Sequence, residues 1–401
     1  MNIALALFVL VMFAVKSLVS FKNYGYRHTP CPENVKDIYD KKDYDQWHKY
    51  FMAKFRFGMI DKAIGILIVV VVFLLDGFVA IENWINTYID SYSLQTLAFL
   101  GFLGLVSNLI SLPFDYHNTF VIEENFGFNK TTKKTFFTDK IKEIILTVVL
   151  GGGILLGTLK LVDLFDDNMM VFILSLWGAS VAFMLIMSLL TTKVFVKIFN
   201  KLTPLEEGSL KTRINDLADQ LGFDVKSIWV MDASKRSTKL NAFFSGFGKM
   251  KDVVLFDTLI EKLSEDEILS VLAHELGHSV NKDVLKGIIK SIFTIGLYIS
   301  VLGAFLFQGS YSFGYTLIIL GVIYEPITMI LGLFMNKMSR KAEYRADAFS
   351  SQYVDKAHMI SALKVLSREN FSNLTPHPIY VSLYYSHPPT SDRIKALEAG
   401  S

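Results

Sequence analysis

Cysteine is almost missing from this 401-residue chain, with Cys31 the only one. An internal disulfide is thereby excluded, and so is a metal centre built on several thiolates. Lack of disulfides fits working domains on the reducing side of a membrane. Charge is also scarce. Asp, Glu, Lys and Arg make up 19% of the residues and balance to a formal +2. There is no overall basic field of the kind that holds nucleic acid, and no nucleic-acid partner is expected. No internal repeat or low-complexity linker divides the chain. A cleavable leader is not expected either. Residues 3–20 are apolar, but no positive charge precedes them, Lys16 lies toward the far end, and Leu18 and Val19 before Ser20 make a poor cleavage pattern. The segment reads as a retained membrane helix.

What is present is apolar mass. Hydrophobic residues reach 52%, Phe alone numbers 33, and the mean hydropathy is +0.39, which places the chain in the membrane class. With about 20 residues needed to cross a bilayer, seven spans are read, at 3–21, 62–83, 94–112, 143–162, 169–191, 285–308 and 313–335. The second is the clearest, interrupted mainly by Asp76. Lys286 and Lys290, in the first turns of the sixth, are expected to snorkel. Glu325-Pro326 falls inside the seventh, where the proline should kink the helix and the carboxylate should face a wet interior rather than lipid. Asn108 and Gly151 to Gly153 are read as further interruptions compatible with such an interior. Residues 22–58, 113–142, 192–284 and the C-terminal tail are rich in Lys and Arg, whereas Ile81–Ser93, Asp163–Asn168 and Gln308–Ser312 have neither. This alternation puts the N-terminus outside and both large soluble segments in the cytoplasm. The layout is 1–191 with five membrane helices, 192–284 soluble, 285–335 with helices six and seven, and 336–401 soluble. The two soluble pieces are expected to fold together.

One segment carries chemistry. Ser264-Glu265-Asp266-Glu267 is a capping box, and Ile268, Leu269, Leu272 and Leu276 supply a buried face for the helix it opens. On that helix His274 and His278 are four apart, so both imidazoles project from one face and can share an ion. Glu275 sits beside the first, placed to take a proton from an activated water without binding the metal. Gly277 leaves room for another chain beside the site. A hydrolytic zinc ion needs a third protein ligand. The candidate is Glu343 in Ser339–Asp347, with Asp347 four residues on to accept the other N–H of a ligand histidine. By itself this stretch, with Arg340, Lys341 and Arg345, reads as a solvated charged helix. The sixth and seventh spans, as a hairpin, would return it to the membrane face that holds His278.

Taken together the chain resembles the type I CAAX prenyl proteases, integral-membrane zinc enzymes that process prenylated C-terminal Cys-aliphatic-aliphatic-X proteins. The resemblance rests on the seven spans, on Pro113–Tyr116 and Phe126–Lys130, on Asn241–Gly246, on the His-Glu-x-x-His and Glu343/Asp347 helices, and on Ser386-His387-Pro388-Pro389 with Arg393. It implies an all-α multi-pass fold, seven transmembrane helices around a chamber, with a small α+β zinc-protease domain. It implies one Zn2+ on His274, His278 and Glu343, with Glu275 as general base. It implies that Asn241, Ala242 and Phe243 lie on an edge strand that pairs with an extended substrate, in keeping with a strand read at Val253–Leu255 after a Gly-rich turn. His387 would sit near the metal and stabilise an oxyanion; the two prolines after it also suit a helix start. Arg393 would pair with Asp347 or another buried carboxylate. His28, His48, His117, His358 and His377 are read as structural or solvated.

The function expected is hydrolysis of a peptide bond near the C-terminus of a prenylated protein, in a bacterial inner membrane or the endoplasmic reticulum, with the substrate and the lipid bilayer as partners. Two other readings stand beside it. One is a general quality-control metalloprotease with no need of a prenyl group; the other is a seven-helix channel or scaffold with a vestigial motif.

Overall fold

Seven helical spans of the computed structural model are long and apolar enough to cross a bilayer, the number read from the sequence. The structure describes residues 1–165, 167–245, 250–309 and 311–400. The membrane part contains α1 (Asn2–Gly25), α2 (Lys41–Leu74), the short α3 (Gly77–Asn86), α4 (Tyr92–His117), α5 (Lys133–Leu146), α6 (Gly152–Leu164) and α7 (Met169–Leu190). A π-helical turn at Thr147–Gly151 joins α5 to α6 into one span. Large apolar side chains such as Leu67, Leu109, Val148 and Phe293 point outward from these and the later spans, as residues that face lipid do.

The second span departs from expectation. Read as crossing Asp76 to residue 83, it instead stops at Leu74, and Asp76 takes a left-handed backbone (φ 52°) that starts α3. Asp tolerates that region better than most side chains, and here its carboxylate accepts a hydrogen bond from the Asn2 amide. Helix α2 makes up its length at the other end, beginning at Lys41 with the Asp40 side chain as N-cap, so that it rises well beyond the bilayer.

After α8 (Lys197–Phe199) come β1 (Leu202–Pro204), α9 (Ser209–Gln220), β2 (Asp224–Met231), β3 (Ala242–Ser245), β4 (Met250–Phe256), α10 (Asp257–Lys262) and α11 (Glu265–Val280). Two more spans follow, α12 (Asp283–Leu306) and α13 (Phe313–Ser350), then α14 (Lys356–Glu369), α15 (Pro378–Tyr384) and α16 (Thr390–Ala399). The sheet has the order β1-β2-β4-β3, with β2 and β4 parallel and the outer pairs antiparallel. Central β4 is apolar throughout its middle, and Val253, Val254 and Leu255 have no exposed surface, as a strand covered on both faces requires. β3 pairs only with β4 among the described residues, so its other edge is open. Gly246 and the start of the Gly-rich turn lie outside the described residues.

The two soluble stretches share cores. Leu217, Ile228, Val253, Leu272 and Leu276 of the first pack with Ala362 of the second. Val35, Ile38 and Trp47, from before and within α2, pack with Leu363, Ile394 and Leu397.

Within the membrane part, α1, α2, α4 and α13 line a cavity of about 730 Å³ with Phe13, Ile66, Val69, Phe102 and Ile318. Lys16 and Glu325 form an ion pair on its wall, so the carboxylate does face an interior space. α13 is continuous through Pro326. Asn108 takes no part in the lining; its amide turns back to the Gly104 carbonyl at 2.9 Å.

Candidate metal centre and active site

Local sequence builds the helix that holds the site. The Ser264 hydroxyl accepts from the Glu267 amide (3.3 Å) and the Glu267 carboxylate accepts from the Ser264 amide (2.8 Å), closing both halves of the capping box. Glu267 also accepts from the Ser361 hydroxyl of α14 at 2.5 Å. Beyond the cap, Ile268, Leu269, Leu272, Ala273 and Leu276 bury one face, and His274 and His278 turn toward α13.

α13 approaches closely because both partners are small. Ala342, Ala346 and Ser350 recur at four-residue intervals and are buried. The Ser350 hydroxyl donates to the Ser270 carbonyl at 2.7 Å. A Cβ on Gly277 would lie 3.3 Å from the Ala346 Cα and 3.0 Å from the Phe349 ring. The glycine therefore sets the interhelix distance, and with it the reach of Glu343.

The three ligand atoms of His274, His278 and Glu343 converge within 4.8 Å of one another. Glu343 Oε2 is 3.5 Å from His274 Nε2, and Oε1 is 3.3 Å from His278 Nε2. Each imidazole has its second nitrogen on a different carboxylate. His274 Nδ1 meets Asp347 Oδ1 at 2.8 Å, and His278 Nδ1 meets Asp283 Oδ2 at 3.1 Å. With the Nδ1 protons donated there, both Nε2 lone pairs point at the common centre. Glu343 Oε2 is buried without a hydrogen-bond partner among the described residues, although His387 Nδ1 comes within 2.8 Å. An orphaned carboxylate oxygen and two aimed imidazole lone pairs fit a metal ion of the borderline class that takes mixed N and O donors.

Arg393, on α16, clamps Asp347 with both arms, Nε to Oδ2 at 2.8 Å and Nη2 to Oδ1 at 2.6 Å. His387 leads into the same helix, which starts directly after Pro389, so both readings of that segment hold. Its side chain is 65% exposed and open to the site. Glu275 is partly exposed and makes no hydrogen bond among the described residues. Burial pulls the His278 imidazolium toward lower pKa, but the Glu343 carboxylate, with help from Asp283 and Glu275, overrides it and raises the group to about 9. His274 follows the same pattern: burial opposes, and Asp347 and Glu343 prevail to raise it.

The residues singled out from sequence therefore fall into two groups. His274, His278, Glu343, Asp347, Arg393 and His387 meet at one point, with Glu275 beside it. Asn241, Ala242 and Phe243 form no hydrogen bond or ion pair with that cluster. Asn241 is exposed, precedes β3, and its side chain accepts from the Ala242 amide at 2.9 Å. Of the other histidines, His117 stacks on Phe57 and His377 caps α15.

Asp283 escaped sequence reading. It opens α12, after a left-handed Lys282 (φ 57°) that turns the chain back on α11. Its other oxygen holds Arg345 at 3.0 Å and Lys286 at 3.2 Å. The available signal was an acidic residue five positions past a ligand histidine, straight after an Asn-Lys turn.

Comparison with known proteins places this geometry. The profile of the CAAX prenyl protease N-terminal region, five membrane helices, matches residues 20–201, and that of peptidase family M48 matches residues 204–401. CAAX prenyl protease 1 of Saccharomyces cerevisiae is 32% identical, with 98% of this chain and 94% of that protein aligned. The CAAX prenyl protease 1 homolog of Oryza sativa is likewise 32% identical, over 98% of this chain and 96% of its own length. The crystal structure of S. mikatae Ste24p superposes with a TM-score of 0.92 at 31% identity, covering 99% of this chain and 98% of that one. Matching architecture, a two-histidine and one-glutamate cluster, and relatives aligned almost end to end together make this protein a multi-pass membrane metalloendopeptidase of the CAAX prenyl protease family.

Proposed function

We propose that the protein cleaves a peptide bond near the C-terminus of prenylated Cys-aliphatic-aliphatic-X proteins or peptides, with one Zn2+ held by His274, His278 and Glu343. The observation that carries the chemistry is the convergence of those three ligand atoms, each histidine aimed by its own carboxylate. Bound there, Zn2+ supplies Lewis acidity toward a peptide carbonyl and makes a water acidic enough to attack near neutral pH. Glu275, uncommitted to any hydrogen bond among the described residues, would take the proton of that water and pass it to the leaving amine. His387, with Nδ1 turned to Glu343, keeps Nε2 free to stabilise charge that develops on the carbonyl oxygen. Asp347 and Arg393 hold His274 in position.

The open edge of β3 supports an extended substrate paired there, with the Asn241 segment at its start. A prenyl chain is supported by the names of the relatives and by the apolar cavity. Tyr380 and Tyr384 of α15 line that cavity, and α15 ends just before His387. The Lys and Arg distribution supports a cytoplasmic protease side, and the shared cores support segments 192–284 and 336–401 acting as one protease unit.

The test is cleavage of a farnesylated Cys-aliphatic-aliphatic-X peptide and its unprenylated twin by purified protein of measured zinc content, with Glu275→Gln as control. The prenylated peptide should be preferred, and Glu275→Gln should keep its metal while losing roughly 10²–10⁴-fold in turnover. Equal cleavage of the twins would remove the prenyl requirement. Metal loss in Glu275→Gln would remove the role given to that residue.

A further inference from the structure

A second polar cluster stands just ahead of the open edge strand. Lys239 lies three residues before Ala242, the first residue of β3. Its ammonium contacts Glu123 Oε2 at 3.1 Å and the Tyr50 hydroxyl at 3.2 Å, and sits 4.7 Å from the centre of the Phe128 ring. Lys54 approaches the same Glu123 from α2, 3.0 Å from Oε1, and donates to Asn118 at 2.7 Å. The Tyr50 hydroxyl spends its own proton on Glu123 at 2.8 Å. Two lysines thus share one carboxylate, which leaves one positive charge in excess.

Hydrogen-bond accounting gives that excess a direction. An ammonium has three N–H donors, and each lysine uses two of them on these partners. Among the described residues one donor on each remains, on side chains 37% and 38% exposed, while Glu123 is only 15% exposed. Two such N–H groups held by one partly buried anchor match the two oxygens of an incoming carboxylate. The seat is built from outside the zinc-ligand helices: the Phe126–Lys130 loop docks here through the Lys130 amide on the Arg236 carbonyl (3.0 Å) and the Asn129–Ser237 bridge. Lys54 also lines a small space of about 210 Å³ with Met59, Lys62 and Tyr380, and the last three line the large membrane cavity as well.

We propose that Lys239 and Lys54, anchored on Glu123, bind the free C-terminal carboxylate of the peptide substrate. This rests on the reading that an extended peptide is cut close to its C-terminus. An extended chain advances about 3.3 Å per residue, so a carboxylate three residues past the scissile bond lies about 10 Å from it. Lys239 precedes Ala242 by the same three residues, in the segment that leads into β3. Ala242 packs onto the core that α11 contributes to through Ala273 and Leu276. A substrate antiparallel to β3, with its scissile bond level with Ala242, brings its last residue level with Lys239. The site would thereby measure the distance from the chain end, which gives a C-terminal endopeptidase its place of cleavage.

The experiment uses the full-length, zinc-loaded protein and two farnesylated peptides that differ only in a C-terminal acid or amide. The wild type should cut the acid with a KM roughly 10-fold below that of the amide, as expected for a charge-assisted hydrogen bond. The ratio of amide KM to acid KM should fall to near one in Lys54→Ala/Lys239→Ala, persist in Lys239→Arg, and rise in Glu123→Gln, where the competing anion is gone. Equal handling of acid and amide by the wild type would overturn the inference and leave the protease intact; a lysine pair serving lipid headgroups would give that result. A ratio unchanged in the double variant of native zinc content would overturn it too. Failure to cut either peptide would bring down the proposed function and this inference with it.

Discussion

Asp283 and Asp347 aim the two ligand histidines in the same way, but their removal should cost different things. The His278–Asp283 contact of 3.1 Å is a hydrogen bond to a charged group, worth about 1.5–3 kcal/mol. Its loss should weaken metal binding roughly 10–100-fold, the usual effect of removing a partner behind a ligand. Folding of the metal-free protein should lose no more than that one hydrogen bond. The cations left behind, Arg345 and Lys286, are 49% and 48% exposed, so water takes over their solvation and the lost pairs are worth at most about 1 kcal/mol. Asp347 is different. It is 2% exposed and is gripped by an Arg393 that is itself 11% exposed. Asp347→Ala strands that guanidinium, whose remaining carboxylate contact among the described residues is Glu343 at 3.7 Å, and breaking a buried pair costs about 3–5 kcal/mol. Asp283→Ala should therefore lose metal affinity with a modest loss of stability, and Asp347→Ala affinity with a clearly larger loss of stability. Competition of a chelator for Zn2+ measures the first quantity, and thermal denaturation of metal-free protein in detergent the second. Wild-type affinity in Asp283→Ala, or equal destabilisation by the two substitutions, would refute the assignment.

Gly277→Ala should push α11 and α13 apart. The new Cβ would meet the Ala346 backbone at 3.3 Å, and overpacking of this kind costs about 1–3 kcal/mol; a native melting profile with full metal content would contradict it. The His278 pKa of about 9, against an ordinary 6.5, also sets pH behaviour. A raised folded-state value gives the metal-free protein stability that is fully present below 6.5 and is lost as pH rises through about 9. Conversely, metal must displace that proton, so apparent affinity should climb with pH up to the same point. Calorimetry of Zn2+ binding at pH 7 in buffers of different ionisation enthalpy should count released protons; a count of zero would exclude a protonated His278.

Legibility in the sequence followed the range of the interactions. The capping box, the apolar face of α11 and the i, i+4 pairs His274/His278 and Glu343/Asp347 all lie within a few helical turns, and helix periodicity alone displays them. The spans were legible because bilayer thickness demands long apolar runs. Errors arose where one residue decides a backbone turn. Asp76 looked like a charge within a span, but its left-handed conformation ends α2. Asp283, just ahead of the sixth span, was not singled out, and the left-handed Lys282 brings it under His278.

By itself, then, the sequence determined a multi-pass membrane chain, the helix that bears the histidines and the residue types that can hold a metal, since each follows from local spacing. Tertiary structure decided which carboxylate answers which nitrogen. Asp347 lies beyond two membrane spans from His274, and Arg393 later still; only after α12 and α13 carry the chain out and back can Gly277 admit Ala346 and set Glu343 between the two imidazoles. Those contacts join residues far apart in the chain, and no periodicity encodes them.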